Sequence, residues 1–233
     1  MAYEIKNKPQ NGNNYKEKIS SGKHFHNVLC LSEAKGMDIM MKKIAVYFPG
    51  IGYHCDKPLL YYSRKIACGL GYGNYRNVAY AYKAGNIRGN EGKMKEAYEA
   101  LFLQAEAELA DLVWPDYDDV LFISKSIGTI IAASYAEKYG LNRTRHVLYT
   151  PLSQTYLFAP NHAIGFIGTA DPWSNTDEII QLSKAKHIPL AVYEGCNHSL
   201  ECKDTLKDLE NLKDIMGKTI DFCKGIHRKT DCS

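Results

Sequence analysis

The 233-residue chain predicts an α/β fold, a mostly parallel β-sheet flanked by helices on both faces. Three observations carry that expectation. Short unbroken apolar runs end in Gly or Pro, as strands buried on both faces do. Segments with three- and four-residue apolar spacing alternate with them. The connections are short, so strands return in parallel through right-handed helical crossovers.

KIAVYFPG (43–50) is the first apolar run and ends in Pro-Gly. PLLYYSRKIACGLGYG (58–73) opens with Pro at a helix start and closes on glycines. YRNVAYAYK (75–83) reads as a second strand. GKMKEAYEALFLQAEAELADLVW (92–114) is the clearest helix, with Met94, Tyr98, Leu101, Ala105, Leu109 and Leu112 along one stripe. DDVLFIS (118–124) is a third strand, and IGTIIAASYAEKYG (127–140) a helix ended by Gly140. RHVLYTPL (145–152) and HAIGFIGTA (162–170) give two more strands. NTDEIIQLSKAKH (175–187) is a helix, IPLAVYEG (188–195) the last strand, and 203–225 a closing helix.

Residues 43–233 therefore read as one domain, a size that suits a single α/β core. Residues 1–42 form a basic extension, partly ordered or contributing FHNVLCL (25–31) as an edge strand, and Met37, Met40 and Met41 leave room for a later start. Eight lysines in 1–43 face Glu4, Glu17, Glu33 and Asp38, a balance of +4. The total of +3 leaves −1 for the rest, so the main body lacks the positive excess of a nucleic-acid binder. No run approaches the ~18 apolar residues that span a bilayer, so no membrane partner is expected. The N-terminus has no apolar h-region, and cytoplasmic localisation is the expectation. Seven scattered cysteines without a C-x-x-C pair read as thiols, not as a disulfide framework.

The stretch FISKSIG (122–128) carries the functional signal. Ser126 follows the third strand and precedes a helix rich in small residues, the setting of a nucleophile elbow. Such an elbow needs small residues two before and two after the serine, here Ser124 and Gly128. The plainer alternative is a strand-to-helix turn with Ser126 as an N-cap. Two later strands deliver Asp171, in GTADPW, and His198, in EGCNHSLE, so the chain order is nucleophile, acid, base. Asp171 could instead cap the turn before Pro172, with Asp177 or Glu194 as spare acids, and His198 could be a surface histidine. Occurrence of all three in order favours the catalytic reading of Ser126. The loop PGIGYHCDKP after the first strand offers oxyanion donors in the N–H of Ile51 or Gly52, and the Ile127 N–H offers another at a helix N-terminus.

From Lys43 to about Lys224 the chain resembles the α/β-hydrolase superfamily, through the oxyanion loop PGIG, the elbow SKSIG, the acid loop GTADPW and the histidine loop CNHSLE. It is most similar to small members with little or no lid, of the dienelactone-hydrolase and esterase type, because the segment where a cap usually enters is only 152–161. Ser124 replaces the usual glycine, and Pro49 stands where many relatives carry histidine. The resemblance implies a Ser-His-Asp acyl hydrolase without cofactor or metal, acting on a small-molecule acyl substrate. Around the site, Tyr53, Tyr61, Tyr62 and Trp173 could line a pocket or simply pack. Lys125 could favour an anionic substrate, although a solvated lysine is the plainer expectation.

Other readings have weaker support. GLGYG (69–73) mimics a dinucleotide-binding motif but follows a helix. His54, Cys55 and Asp56 with Cys196 and His198 suggest a zinc site without a tight ligand pair. An acyltransferase would share the same residues as a hydrolase, and a non-catalytic binding module commonly loses one of them. Oligomeric state is left open.

Overall fold

The computed structural model describes residues 41–225, apart from 83, 84, 86 and 159. The basic extension with its candidate edge strand at 25–31 lies outside them. Six parallel strands run β1 (Lys43–Phe48), β2 (Asn74–Asn77), β3 (Asp119–Lys125), β4 (Arg145–Tyr149), β5 (His162–Gly168) and β6 (Leu190–Tyr193). Their order across the sheet is β2-β1-β3-β4-β5-β6. The helices between and after them are α1 (Pro58–Gly69), α2 (Glu91–Leu109), α3 (Ile127–Lys138), α4 (Thr176–Ala185) and α5 (Thr205–Cys223).

Alternation along the strands divides the core in two. Ile44, Val46, Phe48 and Phe122 face α2 and α3, while Ala45, Tyr47, Leu121, Ile123, Val147 and Tyr149 face the α1 and α5 side. Leu148 and Ile167 pack with Ile179 of α4 in a third cluster. β1 and β3 are almost wholly buried, which is why their sequences are unbroken apolar runs and not alternating ones.

Most elements are shorter than the sequence suggests, three of them instructively. The second strand pairs with β1 only over Asn74–Asn77, and after a last hydrogen bond from Val78 N–H to Tyr47 O the chain leaves the sheet. An edge position with little burial explains this, since the apolar tyrosines Tyr80 and Tyr82 pack back on the α2 side instead of extending the ladder. Helix α1 stops at Gly69, so the first glycine of GLGYG ends the helix and the rest follows it. The segment 92–114 yields α2 to Leu109 and then a separate 3-10 turn at Trp114–Asp116.

After β1 the chain moves outward to β2, then returns across β1 to β3. The direction of winding reverses between β1 and β3, and in open α/β sheets ligands bind at that crevice beyond the carboxyl ends of the strands. The loop after β1 and the turn after β3 both lie there.

Candidate active site

Ser126 sits between β3 and α3 with φ 58° and ψ −128°, outside the regions an L-residue prefers. The strain of such a conformation costs about 1–3 kcal/mol and persists only where the surroundings enforce it. Here they do. The Ser126 N–H donates to Tyr149 O of β4 at 3.0 Å, and its carbonyl accepts from both the N–H and the hydroxyl of Thr129, at 2.8 and 2.6 Å. The Thr129 hydroxyl also meets that of Thr155, 2.6 Å away, in the 3-10 turn Ser153–Leu157. That turn occupies the short 152–161 connection.

The positions flanking Ser126 explain the small residues. A Cβ on Gly128 would lie 2.2 Å from Phe48 O and 2.5 Å from Pro49 O, so α3 can begin here only without a side chain. Ser124 is fully buried, and its hydroxyl donates to Val147 O at 3.1 Å. The departure from glycine is therefore accommodated by a hydrogen bond to β4. Ser126 is the N-cap residue of α3 by position, but its side chain makes no cap hydrogen bond to the helix.

Its hydroxyl lies 2.7 Å from His198 Nε2. His198 Nδ1 lies 2.7 Å from Asp171 Oδ2 and 2.9 Å from Oδ1. With Nδ1–H donating to the carboxylate, Nε2 is left to accept the serine proton. The structure thus brings together the three residues drawn from three strand ends, with Asp171, not Asp177 or Glu194, as the carboxylate at His198. Asp171 is buried, and its Oδ1 also accepts the Trp173 N–H at 2.8 Å. The Trp173 ring lies 5.6 Å from the His198 ring, tilted by 30°. Desolvation holds His198 below the ordinary imidazole value, nearby Lys125 adds to that, and Asp171 opposes it.

The acid and histidine loops are tied to each other. Thr169 N–H donates to Tyr193 O at 3.0 Å and Ala170 N–H to Cys196 O at 3.0 Å. Asn197 Oδ1 accepts the Ser199 N–H at 2.7 Å, closing an Asx turn around His198.

Residues 50–53 form a β-turn closed by Tyr53 N–H to Gly50 O at 3.1 Å, with Gly52 at φ 75°. Glycine at that third position is what a type II turn requires. The turn leaves the Ile51 and Gly52 N–H groups, like that of Ile127, without an acceptor among the described residues.

The flanking residues behave differently from one another. Tyr53 is buried, and its hydroxyl accepts the Leu59 N–H at 3.1 Å, supplying α1 with a cap that Lys57 does not provide. Burial pushes its phenol up to about 12. Tyr61 and Tyr62 lie on the exposed side of α1, edge to face at 5.1 Å. Lys125 is the clearest correction. It is only 2 % exposed, not solvated, and its ammonium lies 4.9 Å from the centre of the Tyr53 ring. It leaves β3 on the strongly apolar α1 and α5 side of the sheet, which a sequence read for local charge alone does not reveal. Among the described residues no three His, Cys, Asp or Glu side chains are grouped so as to hold a metal ion.

No family model and no curated protein matches the chain. Solved structures do match in shape. A protein of unknown function from Agrobacterium tumefaciens, described as a candidate α/β hydrolase, superposes with a TM-score of 0.53 at 15 % identity, over 81 % of this chain and 86 % of that one. A candidate YdeN-like hydrolase from Pectobacterium atrosepticum gives 0.53 at 13 % identity, over 80 % and 94 %. An esterase from Pyrococcus furiosus gives 0.53 at 11 % identity, over 79 % and 83 %. Strand order, helix placement and these superpositions agree: the chain has the α/β-hydrolase fold.

Proposed function

We propose that the protein is a serine hydrolase that cleaves a small ester, thioester or amide through an acyl-enzyme on Ser126. The observation that carries this reading is the continuous run of hydrogen bonds from Ser126 Oγ through His198 to Asp171, starting at a serine with φ 58°. The esterase from Pyrococcus furiosus, with the same fold, adds support.

In this mechanism the substrate carbonyl enters above Ser126, and His198 Nε2 takes the hydroxyl proton as Oγ attacks the carbon. Asp171 keeps Nδ1 protonated and stabilises the imidazolium that forms. The carbonyl oxygen becomes an oxyanion that the N–H groups of Ile127 and of Ile51 or Gly52 receive, at a helix N-terminus whose dipole favours negative charge. His198 then protonates the leaving group. Water, deprotonated by the same imidazole, attacks the acyl-enzyme and releases the acid. Trp173 fixes one face of the imidazole and stands at the rim, where it can also meet the substrate.

The test is hydrolysis of p-nitrophenyl esters of increasing acyl length by the wild type and by Asp171→Asn. The wild type should prefer one length, and the variant should lose about 10⁴-fold in kcat, because an amide cannot hold the required tautomer or compensate the imidazolium. Equal activity of the two proteins would remove the acid role from Asp171.

A further inference from the structure

Among the described residues Lys125 is the one buried lysine or arginine, and it forms no salt bridge there. Its Nζ makes no hydrogen bond among them either, and Asp171 and Glu201 act on it only from beyond contact distance. Charged groups removed from water cost several kcal/mol unless paired, so an unpaired ammonium beside a nucleophile is a retained expense. Its placement is specific. A Cβ built on Gly50 would come within 3.4 Å of Lys125 Cδ, and Nζ ends over the ring of Tyr53. The side chain thus passes beside Gly50 and ends over Tyr53, the residues at the two ends of the turn 50–53, while its backbone carbonyl lies within 3.3 Å of the same built Cβ. Ile51 and Gly52, whose N–H groups lack acceptors, are the two central residues of that turn.

We propose that Lys125 is a positioning residue of the acyl-transfer site, whose buried ammonium supports the oxyanion turn from beneath with a positive field that the oxyanion itself completes. The inference rests on the serine-hydrolase reading. Burial favours a field over a contact. With 2 % of its surface exposed, Lys125 lends a bound substrate little contact area, and a charge in a low-dielectric interior acts over several ångströms with little screening. In the ground state the neutral carbonyl gives this charge nothing to pair with, and in the transition state it gains a counter-charge. An interaction of that kind lowers the barrier without tightening substrate binding.

The groups facing Lys125 fix the pH dependence. Tyr53 comes from the turn after β1, Asp171 from the loop after β5, and His198 and Glu201 from the loop after β6. Tyr149 stands beside it in register on β4, its hydroxyl held by Ser63 and Thr219. Desolvation brings the Lys125 ammonium down to about 7, against smaller opposing pulls from Asp171 and Glu201. The cation in turn helps to keep His198 below its ordinary value. The site is competent when His198 is neutral and Lys125 is charged. As pH rises, activity first climbs while His198 loses its proton, then falls above about pH 7 as Lys125 loses its own.

The experiment needs no knowledge of the natural substrate. A fluorophosphonate transfers its phosphorus to Ser126: the Oγ–P bond forms, the P–F bond breaks, fluoride leaves, and His198 takes the hydroxyl proton. We would measure the second-order labelling rate from pH 5 to 9 by intact mass for wild type, Lys125→Met and Lys125→Arg. The wild type should give a bell. Lys125→Met should label about tenfold or more slowly at the wild-type optimum, with the alkaline limb gone and the acid limb moved to higher pH. Lys125→Arg, which stays charged across the range, should recover most of the rate without an alkaline limb. A wild-type rate that stays level from pH 7 to 9 overturns the inference even if both variants fail to fold, and so does an alkaline limb that persists in Lys125→Met. The labelling comparison is repeated with p-nitrophenyl butyrate and mono-p-nitrophenyl succinate. A loss confined to the anionic ester also overturns it, because Lys125 would then bind the substrate's own charge. Folded wild type that does not label at any pH defeats the hydrolase reading itself, and the inference falls with it.

Discussion

Gly128 shows how much of the site one residue can decide. Its α-carbon faces the carbonyls of Phe48 and Pro49 at a distance that no side chain survives, so a methyl group there must push α3 away from the end of β1. Overpacking of this kind typically costs about 1–3 kcal/mol. Gly128→Ala should therefore lower stability by that amount in denaturant unfolding and slow labelling of Ser126 at least about tenfold, since the shift separates Ser126 from the turn 50–53. An alanine variant with wild-type stability and labelling would show that the close approach is not required. At this scale the sequence was legible as to placement, because motif and chain order name Ser126, Asp171 and His198, and the three side chains stand within hydrogen-bond distance of one another in succession. Lys125 was not. Whether a lysine is solvated depends on which face of the sheet it leaves and what covers that face, and neither follows from its neighbours in sequence. Ser124 lies between these cases: a short side chain was expected, but the Val147 carbonyl that holds it belongs to another strand.

Among the elements, the first loop and α1 act as a unit. Pro58 starts the helix, Lys57 leaves it without a side-chain cap, and the Tyr53 hydroxyl supplies one to Leu59 from six residues away. The same ring lies under the Lys125 ammonium. Tyr53→Phe removes the cap and keeps the ring, so it should cost about 1 kcal/mol of stability while the labelling rate of Ser126 stays within about threefold of wild type. Thermal or denaturant unfolding alongside labelling separates the two effects; a large loss of labelling at unchanged stability would make the hydroxyl part of the reaction and not of the scaffold. Element boundaries were less legible than element types. The strand expected over 75–83 pairs for only four residues, Asn74–Asn77, because an edge strand receives a ladder from one side and Tyr80 and Tyr82 find burial elsewhere. The cap of α1 was invisible for a related reason, since a tyrosine is not a capping residue by type.

The whole molecule is organised so that three loops meet where the winding of the sheet reverses. β1 and β3 bring the turn 50–53 beside Ser126, and β5 and β6 bring Asp171 and His198 over it. At the far end of the sheet, Arg145 ties Asp119 of β3 and the Tyr72 hydroxyl to the last carbonyls of α5, at 2.6 Å to Asp119 and 2.7 Å to Cys223. The end opposite Ser126 is thus clamped by charge, and the end that carries Ser126 is held by backbone hydrogen bonds between loops. The parallel sheet and its two helical layers were legible from the alternation of runs and stripes. Most of the side chains that hold the site, among them Thr129, Thr155 and Trp173, were not, because their partners come from other elements. No helix among the described residues is long and apolar enough to cross a membrane. The central claim is that Ser126 is an activated nucleophile. Its most direct test is exposure of folded wild type and Ser126→Ala to a fluorophosphonate, read by intact mass. The account predicts a single adduct on the wild type and none on the variant; an unlabelled wild type, or equal labelling of both, would contradict it.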